Sequence, residues 1–572
     1  MNKTTAMLLG GAAALALTLS ACSSSNPTGT PSTTGTGSSF SNTNAKAYAD
    51  LKTGGTINVS IGEFTPQKNQ FQADGTTDTW TFWDWYNAEL IKFKPNGDTN
   101  INPNYLTSAK ADTVNGKTVV TYEVNPKAQF NDGTPIDIKA FQNTWKQNNG
   151  SDKAYNANST DGWNKIESVE QGKDAREIVV TFVGPWPWWG GLFNTLQHPA
   201  CNTPECYNTG YLGTDLKSAH PEWGAGPYKL DTFDANAGTA TFVKNDKWWG
   251  DPGKLDKITM VQREATAAVN AFVNGETDWV GATSADILTQ VKSVPGTETR
   301  QGANVANYML QLNGKSATLS DAKVRQAIMT GFDRSKIAQV QFQGLNYTEP
   351  LPGSLLLFSY QPGYVDNFSK AVPKVDVAAA KKLLEDAGYT LGSDGYYAKG
   401  GKQLAVGLTI FNDLPATKAR AQVTQSELKN IGINVTIVQK ASADFSTIMS
   451  KGDWEMNISG FASSDPYGVA YTCQIWCSPE DDNYSGLNKS GLGTVELDKK
   501  IHDMEALPTA EEQIKAANDI EVAEFQQFGL MPLFNGPVIY QVKSSLANVG
   551  SAVFAGKSSA VGDFRENIGY MA

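Results

Sequence analysis

The sequence predicts a mixed α/β fold divided among two or three domains, and three observations predict it. Period-two runs suited to strands alternate with helix-forming runs along most of the chain. At 572 residues, 40% of them hydrophobic, the chain exceeds what one ordinary core accommodates. No self-similarity at 20–50 residues marks a solenoid or propeller. Composition narrows the function class. Lys plus Arg number 47 against 58 Asp plus Glu, a formal charge of -11, so the basic field needed to displace counterions from nucleic acid is missing. Charged residues are only 18% and there are 14 Trp, a balance that suits an extracellular binding surface. Three His argue against a His-rich metal site or a His-driven catalytic centre.

The elements follow in order. Lys3 supplies a short positive region, and residues 7–19 are apolar, small or hydroxyl-bearing. That run is too short to cross a membrane but right for a signal peptide. It ends in Leu19-Ser20-Ala21-Cys22, which resembles the lipobox of bacterial lipoproteins. The resemblance implies cleavage after residue 21 and lipidation of Cys22; an ordinary secretory signal cut at Ser-Ala is the plainer alternative. The Ser, Thr, Gly, Asn and Pro of residues 22–50 bury too little to offset ordering entropy, so this stretch is expected to be a tether. Strands are expected at Thr56–Ile61, Lys117–Val124, 177–183 and 240–243. Asp321 caps a helix through Val324 and Ile328, Asp376 precedes one over 378–387 stopped by Gly388, and residues 416–431 form another stopped by Gly432. The strand 434–438 follows.

Beyond Cys22 the cysteines form two close pairs, Cys201 with Cys206 and Cys473 with Cys477. An even number outside the cell reads as disulfides, each pair closing its own loop, although cross-pairing stays open. A zinc site of all four thiolates is the sharper alternative, but these spacings fit zinc ribbons poorly.

Five landmarks carry a family resemblance. They are Phe130-Asn131-Asp132-Gly133-Thr134-Pro135, Gly224-Ala225-Gly226-Pro227-Tyr228 with Asn245 to Gly250, and Asn274-Gly275-Glu276-Thr277-Asp278 after a helix. Asp321-Ala322-Lys323-Val324-Arg325-Gln326-Ala327 with Asp333-Arg334 is the most specific, and Leu530-Met531-Pro532-Leu533-Phe534 is the last. Together the chain resembles the solute-binding lipoproteins of peptide/nickel-type ABC importers, the oligopeptide- and dipeptide-binding class called bacterial extracellular solute-binding protein family 5. Each landmark also has a structural reading as a turn, cap or core face. In that reading Arg325 pairs with Asp321 or Asp333.

The resemblance implies an α/β, two-lobed periplasmic-binding-protein-like fold (class II) with an extra domain inserted in the first lobe. It places the signal peptide at 1–21, the tether at 22–50, the first lobe at 51–85, 222–303 and 530–572, the inserted domain at 86–221 and the second lobe at 304–529. It implies a peptide or other small solute held between lobes that close, and delivery to permease subunits with their ATPases. A monomer held by lipid on the outer face of the cytoplasmic membrane is implied, with no nucleic-acid partner, no cofactor, no metal and no catalysis. Candidate ligand contacts are Trp83 and Trp85, from the cluster with Trp80 and Tyr86, and the segment Phe461, Ala462, Ser463, Ser464, Asp465, Tyr467, Tyr471 and Trp476. The alternative for each Trp cluster, including Trp186, Trp188 and Trp189, is packing. Relatives carry an Asp for the peptide's α-ammonium four residues before a Pro, where this chain has Ala462. That departure favours longer peptides held mid-chain or uncharged ligands such as oligosaccharides. An extracellular hydrolase is the competing class, but neither G-x-S-x-G nor H-E-x-x-H occurs. Nickel or haem binding finds little support in His198, His220 and His502, which read as surface histidines.

Overall fold

A computed structural model describes residues 41–94, 97–463, 465–484, 488–554 and 560–572. The signal-peptide and lipobox expectations, Cys22 included, lie outside these residues. The first lobe holds a four-stranded sheet in the order Thr56–Ile61, Lys257–Gln262, Thr239–Lys244, Tyr228–Asp234. Its first strand alternates as the sequence predicts, with Ile57, Val59 and Ile61 buried. A three-stranded sheet of Trp279–Gly281, Pro537–Lys543 and Thr297–Ala303 joins it. The inserted domain is an antiparallel sheet ordered Leu106–Val114, Lys117–Val124, Glu177–Phe182, Ile166–Gln171, with helix Ile138–Asn148 packed on it. The second lobe is a five-stranded mixed sheet: Asn434–Gln439, Ala405–Ile410, Met456–Ala462, Ala306–Leu312, Leu530–Phe534.

Local chemistry explains the landmarks. Gly133 adopts φ 90° in the Asp-Gly turn, closed by the Phe130 amide donating to Thr134 O at 2.8 Å. The amides of Ala225 and Gly226 both donate to Tyr86 O, and a Cβ on Gly224 would sit 2.6 Å from that oxygen. Only a bare Cα permits that approach. Asp321 and Asp376 cap their helices through Lys323 N and Ala379 N. Trp186 and Trp188 are buried in packing, and both disulfides close their own loops, Cys201–Cys206 and Cys473–Cys477.

The hinge is compact. The chain leaves the first-lobe strand Thr297–Ala303 and enters the second-lobe strand Ala306–Leu312, and it returns between Leu530–Phe534 and Pro537–Lys543. On its return the chain leaves Leu530–Phe534, which pairs with Ala306–Leu312, and passes through Asn535–Gly536 into Pro537–Lys543. Asn304 donates to Asn535 O at 2.8 Å, while the Asn535 side chain donates to Ala306 O at 3.0 Å and Asn307 Oδ1 at 2.6 Å. The half-buried Glu349 carboxylate accepts the amides of both Asn535 and Gly536. Gly536, at φ 79°, supplies the bend.

Three expectations need correction. The expected tether does not run free to residue 50. From Ser41 onward it docks on the first lobe, with Asn42 paired to Ser551, Lys46 N donating to Asn548 Oδ1 and the Lys254 ammonium 3.7 Å above the Tyr48 ring. Polar side chains that bury no apolar surface here gain order through backbone pairing instead. Arg325, 5% exposed, directs its guanidinium to the carbonyls of Leu319, Ser320 and Gln527, while Asp321 serves as helix cap. Backbone oxygens satisfy a buried fork without a second buried charge. His198 is buried, not superficial: its ring stacks on Trp223 and lies 3.3 Å from Asp132 Oδ2.

Candidate functional site

A cavity of about 260 Å³ lies where the first lobe, the inserted domain and the second lobe meet. The first lobe contributes Gln70, Phe71, the stretch from Ala73 to Thr77 and Trp80; the inserted domain contributes Asn158, Asp161 and the turn from Gly191 to Thr195. The second lobe contributes Asn307, Gln311, one face of helix Phe445–Lys451, the end of strand Met456–Ala462, then Tyr471, Gln474 and Lys489. Aromatic faces alternate with side-chain amides, the mixture expected of a small-solute cleft.

The strand at the back of this cavity has an unusual edge. Met456–Ala462 pairs along its whole length with Ala306–Leu312, but Ala405–Ile410 meets it only at Met456 and Asn457. From Ile458 onward its second edge has no sheet partner among the described residues. Ser459, Gly460, Phe461 and Ala462 on that stretch line the cavity. Space at Gly460 is tight, since a Cβ would meet Asn307 O at 3.2 Å and the Tyr308 ring at 3.1 Å.

The candidate contacts divide. Phe461, Ala462, Ser463 and Tyr471 line the cavity, and Ser464 lies outside the described residues. Asp465 is 1% exposed and holds its own loop: it accepts from the Tyr471 hydroxyl at 2.5 Å and from Tyr467 N at 2.8 Å. Tyr467 packs between Phe93 and Trp188, and Trp476 lies edge-on against Phe525. Trp83 and Trp85 are buried in two different cores, where Trp83 Nε1 donates to Thr195 Oγ1 at 3.2 Å. Neither tryptophan lines the cavity; helix Thr77–Trp83 presents Trp80 to it instead, one turn earlier, with Nε1 donating to Gln70 O at 3.1 Å.

Sequence reasoning missed Asp161, Gln474, Phe445, Met449 and Lys489. No local pattern marks them, because each owes its place to the docking of separate elements. Asp161 accepts the Gln474 amide at 2.9 Å across the boundary between inserted domain and second lobe. Burial, then Glu505, pushes its carboxyl well above the usual range. Burial and the neighbouring Asp78 push Glu63, at the cavity's flank, up to about 7. The side chains of Cys473, Cys477, Asp481 and His502 converge within 4.8 Å, but the sulfurs are bonded to each other and the carboxylate accepts from the imidazole at 2.7 Å. His502 is raised to about 10 by its hydrogen bonds to Asp481 and Glu505.

Two hinged α/β lobes with a lined cavity between them define a solute-binding protein of the two-lobed type. The comparisons sharpen that class. Residues 100–483 match the model of the bacterial extracellular solute-binding proteins, family 5, and the chain belongs to that family. The oligopeptide-binding protein OppA of Mycobacterium tuberculosis is 30% identical over 525 residues, covering 89% of this chain and 84% of that one. The periplasmic EDTA-binding protein EppA superposes with TM-score 0.77 at 22% identity, over 94% of this chain and 100% of that one. The oligopeptide-binding protein AppA of Bacillus subtilis, solved with a nonapeptide, superposes with TM-score 0.74 at 18% identity, over 91% and 100%. Family 5 consists of substrate-binding components of importers rather than enzymes, and its members act outside the cytoplasm. Among the described residues no helix is long and apolar enough to cross a membrane.

Proposed function

We propose that this chain captures oligopeptides between its lobes and hands them, chemically unchanged, to the permease of an ABC importer. It does so as a monomer anchored through lipidated Cys22 on the outer face of the cytoplasmic membrane. The observation that carries the reading is the open strand edge from Ile458 to Ala462 facing the cavity. Backbone groups on such an edge pair with an extended peptide whatever its side chains. The likeness to OppA along 89% of the chain supports it. Ala462 presents a methyl group where an acidic anchor for an α-ammonium would stand, so the peptide is held along its length. Inferred contacts are Trp80, Phe461, Ser463, Tyr471 and Gln474. Inferred domain limits follow the sheets, with crossings at residues 304–305 and 535–536.

The test is closure. A broad peptide pool added to the soluble body lowers the radius of gyration, alters Trp fluorescence and raises thermal stability by mass action. An oligosaccharide pool producing these changes while the peptide pool does not overturns the reading.

A further inference from the structure

We propose that Lys489 reads charge in this cavity, and that preferred cargo presents a carboxylate to it. The inference rests on the peptide reading above and adds a specificity to it.

Lys489 lines the cavity, and among the described residues no carboxylate, carbonyl or ring takes up its ammonium. Its position is built. The preceding residue, Asn488, is 2% exposed and donates to the carbonyls of Trp476, Cys477 and Leu492 at 3.2, 3.1 and 2.7 Å. The following residue, Ser490, donates to Asn488 Oδ1 at 2.6 Å, and its carbonyl accepts from Gly314 N at 2.9 Å. Lys489 is thus the middle of a turn pinned on both sides. The platform beneath it is the Cys473–Cys477 loop, whose helix Thr472–Trp476 also carries Gln474 and Ile475 to the cavity wall.

The surroundings leave the charge unspent. Burial lowers the Lys489 pKa and Lys315 adds to the lowering, while Asp74 opposes it from the first-lobe wall. Asp74 is exposed and accepts from Gln72 Nε2 at 3.1 Å, so water and that amide share its charge. The other acid on the wall, Asp161, is engaged by Gln474 N. A desolvated, unpaired ammonium is costly, and an incoming carboxylate repays that cost through a charge-assisted hydrogen bond. The carboxylate is supplied either by an acidic side chain or by the peptide's C-terminus.

Four alanine-based heptapeptides separate these sources: a central Glu or Gln, each with a free or an amidated C-terminus. Titration calorimetry on the soluble body is expected to show a roughly ten- to hundredfold loss of affinity when the carboxylate that Lys489 reads is removed. Loss tracking the Glu-to-Gln change identifies a side-chain reader; loss tracking amidation identifies a C-terminal reader. Lys489→Met removes the discrimination and Lys489→Arg keeps it, with circular dichroism confirming that both variants fold. Equal affinity for all four peptides, or discrimination that survives in Lys489→Met, overturns the inference and leaves the peptide reading intact. Binding of none of the four overturns both.

Discussion

Two seams close the cavity against the second lobe, and they are built from different chemistry. At the seam with the first lobe, hydroxyls and amides donate to carboxylates. Ser446 Oγ reaches Glu63 at 3.3 Å, Ser442 N and Oγ reach Glu264 at 2.9 and 2.8 Å, and Thr266 N reaches Asp413 at 3.1 Å. At the seam with the inserted domain, half-buried cations meet buried carboxylates. Lys165 lies 2.7 Å from Glu505, whose side chain is 3% exposed, and His502 bridges Glu505 and Asp481. Trp188 Nε1 donates to Gln513 Oε1 at 2.6 Å beside them. Water replaces a hydroxyl at a carboxylate with little loss, but separating a buried ion pair hydrates or strands charges. The inserted-domain seam is therefore expected to set how firmly the jaws hold, with the first-lobe seam adjusting it.

Breaking the charged seam gives the largest effect. Lys165→Met strands Glu505 with His502 alone and is expected to cost about 3 kcal/mol of stability, read as a lower urea midpoint and a larger radius of gyration. An unchanged scattering curve and midpoint would remove this seam as the latch.

The first-lobe seam is sharpened by pH. Burial raises Glu63 to about 7 and Asp78 to about 6, so the closed form binds protons that a hydrated form releases. Its contribution is complete below the ordinary carboxyl range, near pH 4, and is lost as pH rises through 6 and 7. Closure should weaken between pH 5 and 8 by about 1–2 kcal/mol, less than the full shift because opening hydrates the pair only in part. Glu63→Gln flattens much of that slope. A variant that reproduces the wild-type fluorescence–pH curve would sink this account.

The smallest effect belongs to Ser446→Ala. It removes one long hydrogen bond, and a change of about 1 kcal/mol or less in ligand-free closure is expected. A change matching Lys165→Met would reverse the ranking of the seams.

The framework was legible in the sequence because its signals are local. Period two exposed Thr56–Ile61, and an Asp at one end with a Gly beyond the other bracketed the helix Val377–Asp386. Cysteine spacing gave both disulfides, and five ordered landmarks gave the family. Of the residues lining the candidate cavity, the sequence pointed only to Phe461, Ala462, Ser463 and Tyr471. Trp83 and Trp85 stood out by residue type, yet helical phase turns Trp83 into a core and gives the cavity Trp80, while Trp85 is buried from the turn beyond the helix. Phase within a seven-residue helix depends on what docks against it. Lys489 carries no local mark either; it is defined by an asparagine reaching across to a disulfide loop.

The docked stretch from Ser41 has a mechanical corollary. This stretch fastens to the first lobe at Ser551 and Asn548, so the lipid anchor proposed at Cys22 would pull on that lobe. The nineteen residue steps from Cys22 to Ser41 can span at most about 65 Å, which would set the first lobe's reach from the bilayer under that proposal. The second lobe carries no such fastening to this stretch, so under the proposed reading it would be the half free to travel while the first stays near the bilayer.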